Sequence, residues 1–173
     1  MKQRFDNISM NGRMAYVIMC TEAFLKNTYP HHNWTIISEA MWKATKMNWA
    51  DWSSLYAGYI PHVLFSYKEY GSDLIESFSE EVYKELINLY TSIPFGMDRL
   101  DSILNKPHEM AMVYEGTSIG DGRESIELIE ETEKILIDNH IPLPDSTRLS
   151  FANFTQKHGW GDDFDGSFLS IIL

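Results

Sequence analysis

Over much of this chain apolar residues recur at spacings of three and four, the period of a helix with one buried face. The clearest case runs from Asp73 to Tyr90. Leu74, Ile75, Phe78, Val82, Leu86 and Leu89 fall on one side, and Glu76, Glu80, Lys84 and Asn88 on the other. Ser72 or Asp73 supplies a cap, Glu80 and Lys84 make a favourable i,i+4 pair, and Pro94 stops the helix. A second helix is expected from Gly122 to Asn139, with Leu128, Ile129, Thr132, Ile135 and Leu136 as its buried stripe. Asp121 followed by Glu124 makes a start like a capping box, and Asn139 with Pro142 marks the end.

A helix from about Ser9 to Leu25 places Met14, Val17, Ile18, Thr21, Phe24 and Leu25 on one face; Gly12 weakens its first turn. Asn33 caps a helix from Trp34 to Met47, and Asp51 caps a short one reaching Tyr59. Asp98 to Leu104 and Pro107 to Tyr114 read as two short helices, the latter with proline at its first position. Met110 to Tyr114 fits a strand equally well, because so short a run does not settle its period. Thr147 to Phe154 reads as helix and Lys157 to Gly166 as loop, while Phe164, Phe168, Ile171 and Ile172 suggest a terminal turn that docks apolar residues. Gly116 to Gly122 is a loop rather than a boundary, and there is no repeat or low-complexity run. The expected fold is all-α: one irregular helical domain over residues 1–173, with about seven or eight helices.

Length and composition agree with that picture. A chain of 173 residues fits one domain and buries roughly 70% of its unfolded surface. Hydrophobic residues at 44% and aromatics at 13% argue against disorder. Cys20 is the single cysteine, so no internal disulfide forms, and its apolar run predicts a buried, inert thiol. The apolar run after Arg4 is late, short and interrupted by Arg13, unlike a signal peptide. No stretch approaches the roughly 20 apolar residues of a membrane span, so a cytoplasmic protein is expected. A formal charge of −11 disfavours nucleic acid and anionic membranes and favours encounter with a basic partner.

No motif points to catalysis, a metal or a cofactor. His31, His32, His62, His108, His140 and His158 are scattered, and none stands four residues from another as zinc-binding helices require. Asp162, Asp163, Asp165 and Gly166 resemble a calcium loop, but the EF-hand register puts Gly161 at position one and Ile172 at position twelve. The glycine-rich stretch before Arg123 lacks the Lys-Ser/Thr ending of a phosphate loop, and Asp121 and Glu124 would repel phosphate there. No nucleophile elbow is present.

What remains is surface. Glu124, Glu127, Glu131 and Asp138 form one acidic stripe on the second helix, either a solvated face or a docking surface for a basic protein. Glu133 falls inside the apolar arc and either pairs with an arginine or reaches the edge. Trp160, flanked by Gly159 and Gly161 and followed by Asp162, Asp163 and Asp165, is an acid-ringed anchor if exposed. If buried, it pins the C-terminus. Trp34, Trp42, Trp49 and Trp52 read as core.

A small, acidic, helical chain with the tail Trp160-Gly161-Asp162-Asp163-Phe164-Asp165 resembles the all-α bacterial immunity proteins of polymorphic toxin systems. The resemblance covers the general plan of the chain, and only this tail at residue level. It implies a cytoplasmic protein, not an enzyme, that binds one cognate toxin and blocks it, with a basic toxin domain as partner. A regulatory or adaptor subunit, and a small-ligand enzyme whose site assembles from distant residues, are the alternative readings.

Overall fold

The apolar N-terminal run becomes the central helix of the fold. In the computed structural model, which describes residues 4–71, 74, 77–114 and 118–173, helix α1 spans Met10–Thr28. Ser9 caps it by accepting from the Gly12 amide. Every residue from Met10 to Leu25 is buried, where the sequence period predicts a single buried face. The reason is tertiary: α1 is enclosed by the helices described below, so its polar residues need internal partners. Thr21 bonds the Val17 carbonyl, and Asn11, Arg13 and Glu22 each meet several groups of other segments. Gly12 has a positive use here. A Cβ on it would stand 2.6 Å from Ile8 Cγ2 and 2.8 Å from Ala152 Cβ, so glycine lets the 150s segment lie against the start of α1.

Helix α2 (Thr35–Trp42) runs into a 3-10 turn at Lys43–Thr45, and α3 (Trp49–Tyr56) into another at Ala57–Tyr59. Asn48, rather than Asp51, caps α3, accepting from Ala50 N at 2.9 Å; Asp51 sits in the first turn, where its charge suits the helix dipole. Trp34, Trp42, Trp49 and Trp52 are all buried. Each indole N–H has an acceptor: the Tyr29 carbonyl, Glu22, Asn11 and the Ala40 carbonyl respectively. A single turn, α4 (Pro61–Leu64), follows.

Helix α5 is shorter than its period predicts. It covers Glu80–Thr91, capped by Ser79, whose hydroxyl accepts from Val82 N. Leu74 and Phe78 are buried as expected but belong to the preceding turn, where Phe78 packs edge-on against Tyr59. The caps proposed at Ser72 and Asp73 lie outside the described residues. The Glu80–Lys84 pair forms at 2.8 Å.

The two short helices and the alternative strand are replaced by one helix, α6 (Met97–Val113), with Pro107 inside it. A proline there leaves the carbonyl four residues back without its amide partner. Buried hydroxyls from neighbouring helices lie at the interruption: Tyr56 of α3 donates to Leu104 O at 2.9 Å, and Thr21 of α1, whose proton is shared with Val17 O, stands 3.4 Å from Ile103 O. Packing against α1 and α3 thereby carries the helix across a residue that local rules treat as a start signal.

Helix α7 (Arg123–Asp138) matches its expected span, although Gly122 rather than Asp121 occupies the N-cap and Asp121 accepts from Arg123 N. Its C-terminus closes in a Schellman motif: Ile141 N donates to Leu136 O and His140 N to Ile137 O. His140 therefore adopts φ 58°, a conformation glycine prefers. His140→Gly is expected to stabilise the fold by about 1 kcal/mol. A higher urea midpoint at unchanged slope would show it, and a lower midpoint would count against it.

The expected helix from Thr147 to Phe154 does not form beyond a 3-10 turn at Ser146–Leu149. Its backbone pairs with the N-terminal segment instead: Ser9 N donates to Ala152 O, Phe154 N to Asn7 O, and Ile8 and Asn153 make an isolated antiparallel bridge. Two further 3-10 turns, Gln156–Gly159 and Gly166–Leu169, complete the chain. Among the described residues the architecture is all-helical, with one continuous core drawing on all seven α-helices. No helix among them is long and apolar enough to cross a membrane. Cys20 is fully buried, and burial pushes its thiol pKa up.

Candidate partner-binding cleft

The loop that carries Trp160 is held from both sides. Asn11 N donates to Trp160 O at 2.9 Å, and the Asn11 amide reaches Asp162 O at 3.3 Å. Downstream, Thr45 and Phe164 exchange bonds, Phe164 N to Thr45 O at 3.0 Å and Thr45 Oγ1 to Phe164 O at 2.8 Å. Around the first of these anchors Lys157, His158, Gly159 and Gly161 all take positive φ. Gly161 is required twice over. Its φ is +87°, and a Cβ would overlap Ser9 Oγ and stand 2.6 Å from Ser9 Cβ. Lys157 and His158 carry side chains in the left-handed region, which concentrates backbone strain in this segment.

This geometry leaves Trp160 half-buried, between the two alternatives that the sequence raises. Its ring meets Trp49 edge to face at 5.3 Å and Tyr114 at 6.4 Å, and Trp49 and Tyr114 also meet at 6.4 Å. The three rings line one side of a cleft of about 490 Å³, with Asn11 inside it and Lys157 and Asp163 at its edge. The Lys157 ammonium lies 3.1 Å from the Asp163 carboxylate. Tyr114 O–H donates to Glu124 at 3.2 Å and accepts from Ser125 N, so the start of α7 adjoins the cleft.

The other expected site residues spread outward from there. Asp162 is exposed beside Asp163. Asp165 turns away to Lys46 at 3.0 Å and caps the Gly166–Leu169 turn. On α7, Glu131 pairs with Lys106 and Asp138 with Lys134, whereas Glu124, Glu127 and Asp162 stand outside any ion pair among the described residues. The acidic stripe is therefore partly neutralised by its own neighbours, and its free end lies toward the cleft. Glu133 is not part of it. Its carboxylate meets Arg4 at 2.9 Å and accepts from Tyr16 at 2.7 Å, the arginine pairing that its place on the wheel suggested. Burial first, with the neighbouring Cys20 and Glu133, raises the Tyr16 phenol pKa.

The Asp163 and Asp165 carboxylates point to different lysines, unlike a calcium loop, and no group of three potential ligands among the described residues could hold a metal ion. Hydrogen bonds from Ser167, then the Lys46 charge, lower the Asp165 pKa from 3.8 to about 2. Because the folded value lies below the ordinary one, the cap contributes fully above about pH 4 and is lost as pH falls through about 2. The Ser167 amide shift should titrate with a midpoint near 2; a midpoint near 4 would contradict the cap.

An apolar surface adjoins the acidic loop. Phe151 stacks edge-on against Phe164 at 4.9 Å and contacts Phe168 at 5.7 Å. Phe168 is 59% exposed and Ile171 53%, while Leu169 is buried, so only part of the terminal turn docks as expected. Trp49, Tyr114 and the Phe151 cluster were not among the expected site residues. Trp49 reads as core and Tyr114 as a helix end, and no local spacing joins either to Trp160. A second, mainly apolar cleft of about 330 Å³ includes Glu22 in its lining, but that carboxylate is already occupied by four protein donors. Compared with protein-family models, with curated proteins and with solved structures, the chain matches none.

Proposed function

We propose that this chain is a protein-binding inhibitor of the bacterial immunity type, acting in the cytoplasm by masking a basic toxin domain. The observation that carries the reading is the surface of residues 157–168. It presents Trp160 in a cleft and Phe168 to solvent, with Asp162 and Asp163 between them, on a backbone anchored to α1 and to the Lys43–Thr45 turn. Aromatic anchors bordered by charge are the usual centres of binding energy in protein interfaces. Contiguous exposed apolar side chains, as Phe151 and Phe168 are here, are a recurrent feature of interaction sites. The net charge of −11 favours a cationic partner and speeds its encounter.

The test is co-expression with any toxin-like protein found encoded in the neighbouring gene. Rescue of growth and a complex that co-elutes are expected, with rescue weakened by Phe168→Asp. Absence of both rescue and complex removes the proposal. A complex without any change in the partner's activity would favour the adaptor reading instead.

A further inference from the structure

We infer that the Trp49–Tyr114–Trp160 cleft is an arginine receptor: it takes one guanidinium side chain of the basic partner, which displaces Lys157 from Asp163. The inference rests on the partner-binding reading above and names the chemistry of its anchor. Three observations lead to it.

First, the cleft wall is aromatic. Trp49 packs edge-on against Trp160 at 5.3 Å and is itself buried, so the ring a planar cation can lie against is the half-buried Trp160 indole. Indole faces attract cations, and arginine uses them more often than lysine because its guanidinium is flat and weakly hydrated. Second, the polar groups at hand suit a cation. The Asp163 carboxylate is exposed at the edge and Asp162 is its exposed neighbour, while Asn11 Oδ1 is turned to the Trp49 indole. Two carboxylate oxygens match a guanidinium fork. An anion would find only Lys157 in a molecule carrying −11.

Third, the cleft already holds a cation of its own. Lys157 adopts φ 43° and ψ 46° and places its ammonium 3.1 Å from Asp163. A side chain kept in a costly backbone conformation to cover one exposed carboxylate acts as a stand-in for the incoming group. Exchange keeps the charge balance at Asp163 and frees Lys157 to solvent. An exposed ion pair of this kind is weak enough to be displaced.

The probe is the tripeptide acetyl-Gly-Arg-Gly-amide, compared with its citrulline and lysine counterparts. Binding is followed on the indole N–H signals of Trp49 and Trp160 of the full chain. The arginine peptide should shift both signals saturably, and the citrulline peptide, of equal shape without charge, should not. Asp163→Asn is expected to weaken binding about tenfold. Lys157→Gln should tighten it about three- to fivefold, because the internal competitor is gone. Both positions are exposed, so both variants should keep the circular dichroism of the parent.

Equal response to arginine and citrulline, or no response to Asp163→Asn, overturns the inference. A lysine peptide that binds as well as the arginine one overturns the guanidinium assignment. The growth assay separates this from the parent reading. Rescue that survives Asp163→Asn unchanged defeats the arginine receptor and leaves the inhibitor standing. Selective arginine binding in a chain that rescues nothing removes the inhibitor and leaves a guanidinium site.

Discussion

Glu22→Ala should destabilise the protein by about 2–6 kcal/mol and release its C-terminal turn before the rest unfolds. Glu22 is fully buried on α1, and no cation is paired with it among the described residues. Its charge is balanced by donors instead. Oε1 accepts from Ser38 Oγ, from Trp42 Nε1 at 2.8 Å and from Ser170 Oγ at 2.7 Å, while Oε2 accepts from Ile171 N at 2.8 Å. The carboxylate thus joins α1, α2 and the last residues of the chain. Removing it takes the protein acceptor from two N–H groups, each costing about 1–3 kcal/mol where it stays shielded from water, whereas the two serine hydroxyls can turn toward each other. Glu22→Gln keeps the volume and one oxygen but sets its NH₂ against either Trp42 or Ile171, so about half the loss is expected. Urea unfolding gives the first quantity. Hydrogen exchange at Ile171 gives the second: its protection should fall well below the global value. A midpoint and an exchange rate both equal to the parent's would show that the clasp contributes nothing.

That clasp also illustrates which features of the fold can be read along the chain. Helices α1 and α7 were legible because apolar residues recur there at a helical period, although their N-caps, Ser9 and Gly122, emerge only from the structure. The all-α class follows from the same period. Legibility stopped where a distant partner decides the outcome. Pro107 reads as a helix start, yet Thr21 and Tyr56, far away in sequence, carry α6 across it. Thr147 to Phe154 has a plausible helical pattern, but the backbone around Asn7 to Ser9 competes for its carbonyls and amides and wins. The candidate site behaves alike. Trp160 and its acidic neighbours stand out by composition, whereas Trp49 and Tyr114 become site residues only once α3 and α6 bring them to within 6.4 Å of its ring. Polar residues on an apparently apolar helix were the local signal available: Asn11, Arg13 and Glu22 each mark a junction between segments.

Of these, Arg13 offers the sharpest test of what a buried charge is for. It is 1% exposed and bonds Ile8 O at 2.9 Å, Gly122 O at 2.7 Å, Ser125 Oγ at 2.8 Å and Phe5 O at 3.0 Å, with its guanidinium 5.0 Å from the Phe154 ring centre. Burial lowers its pKa, and the neighbouring Tyr114, Asp6 and Asp121 act against that. If charge were the point, lysine would be the best replacement. The geometry says otherwise, because the acceptors lie on two sides of a planar fork: the N-terminal segment on one, the start of α7 on the other. Lysine offers a single compact ammonium, more strongly hydrated than guanidinium, and cannot span them. Methionine fills the space at no desolvation cost, and Gly122 O and Phe5 O each retain another donor, Ser125 Oγ and Ile8 N. Stability should therefore fall in the order Arg13, Met, Lys, Ala. Arg13→Ala should lose about 3–5 kcal/mol through the cavity and the orphaned Ile8 carbonyl. Arg13→Met should lose about half as much, since buried ion-binding residues yield to apolar ones of like volume more readily than to truncation. Denaturant midpoints of the three variants decide it: lysine outperforming methionine would mean that Asp6 and Asp121, rather than the carbonyl fork, hold Arg13 in place.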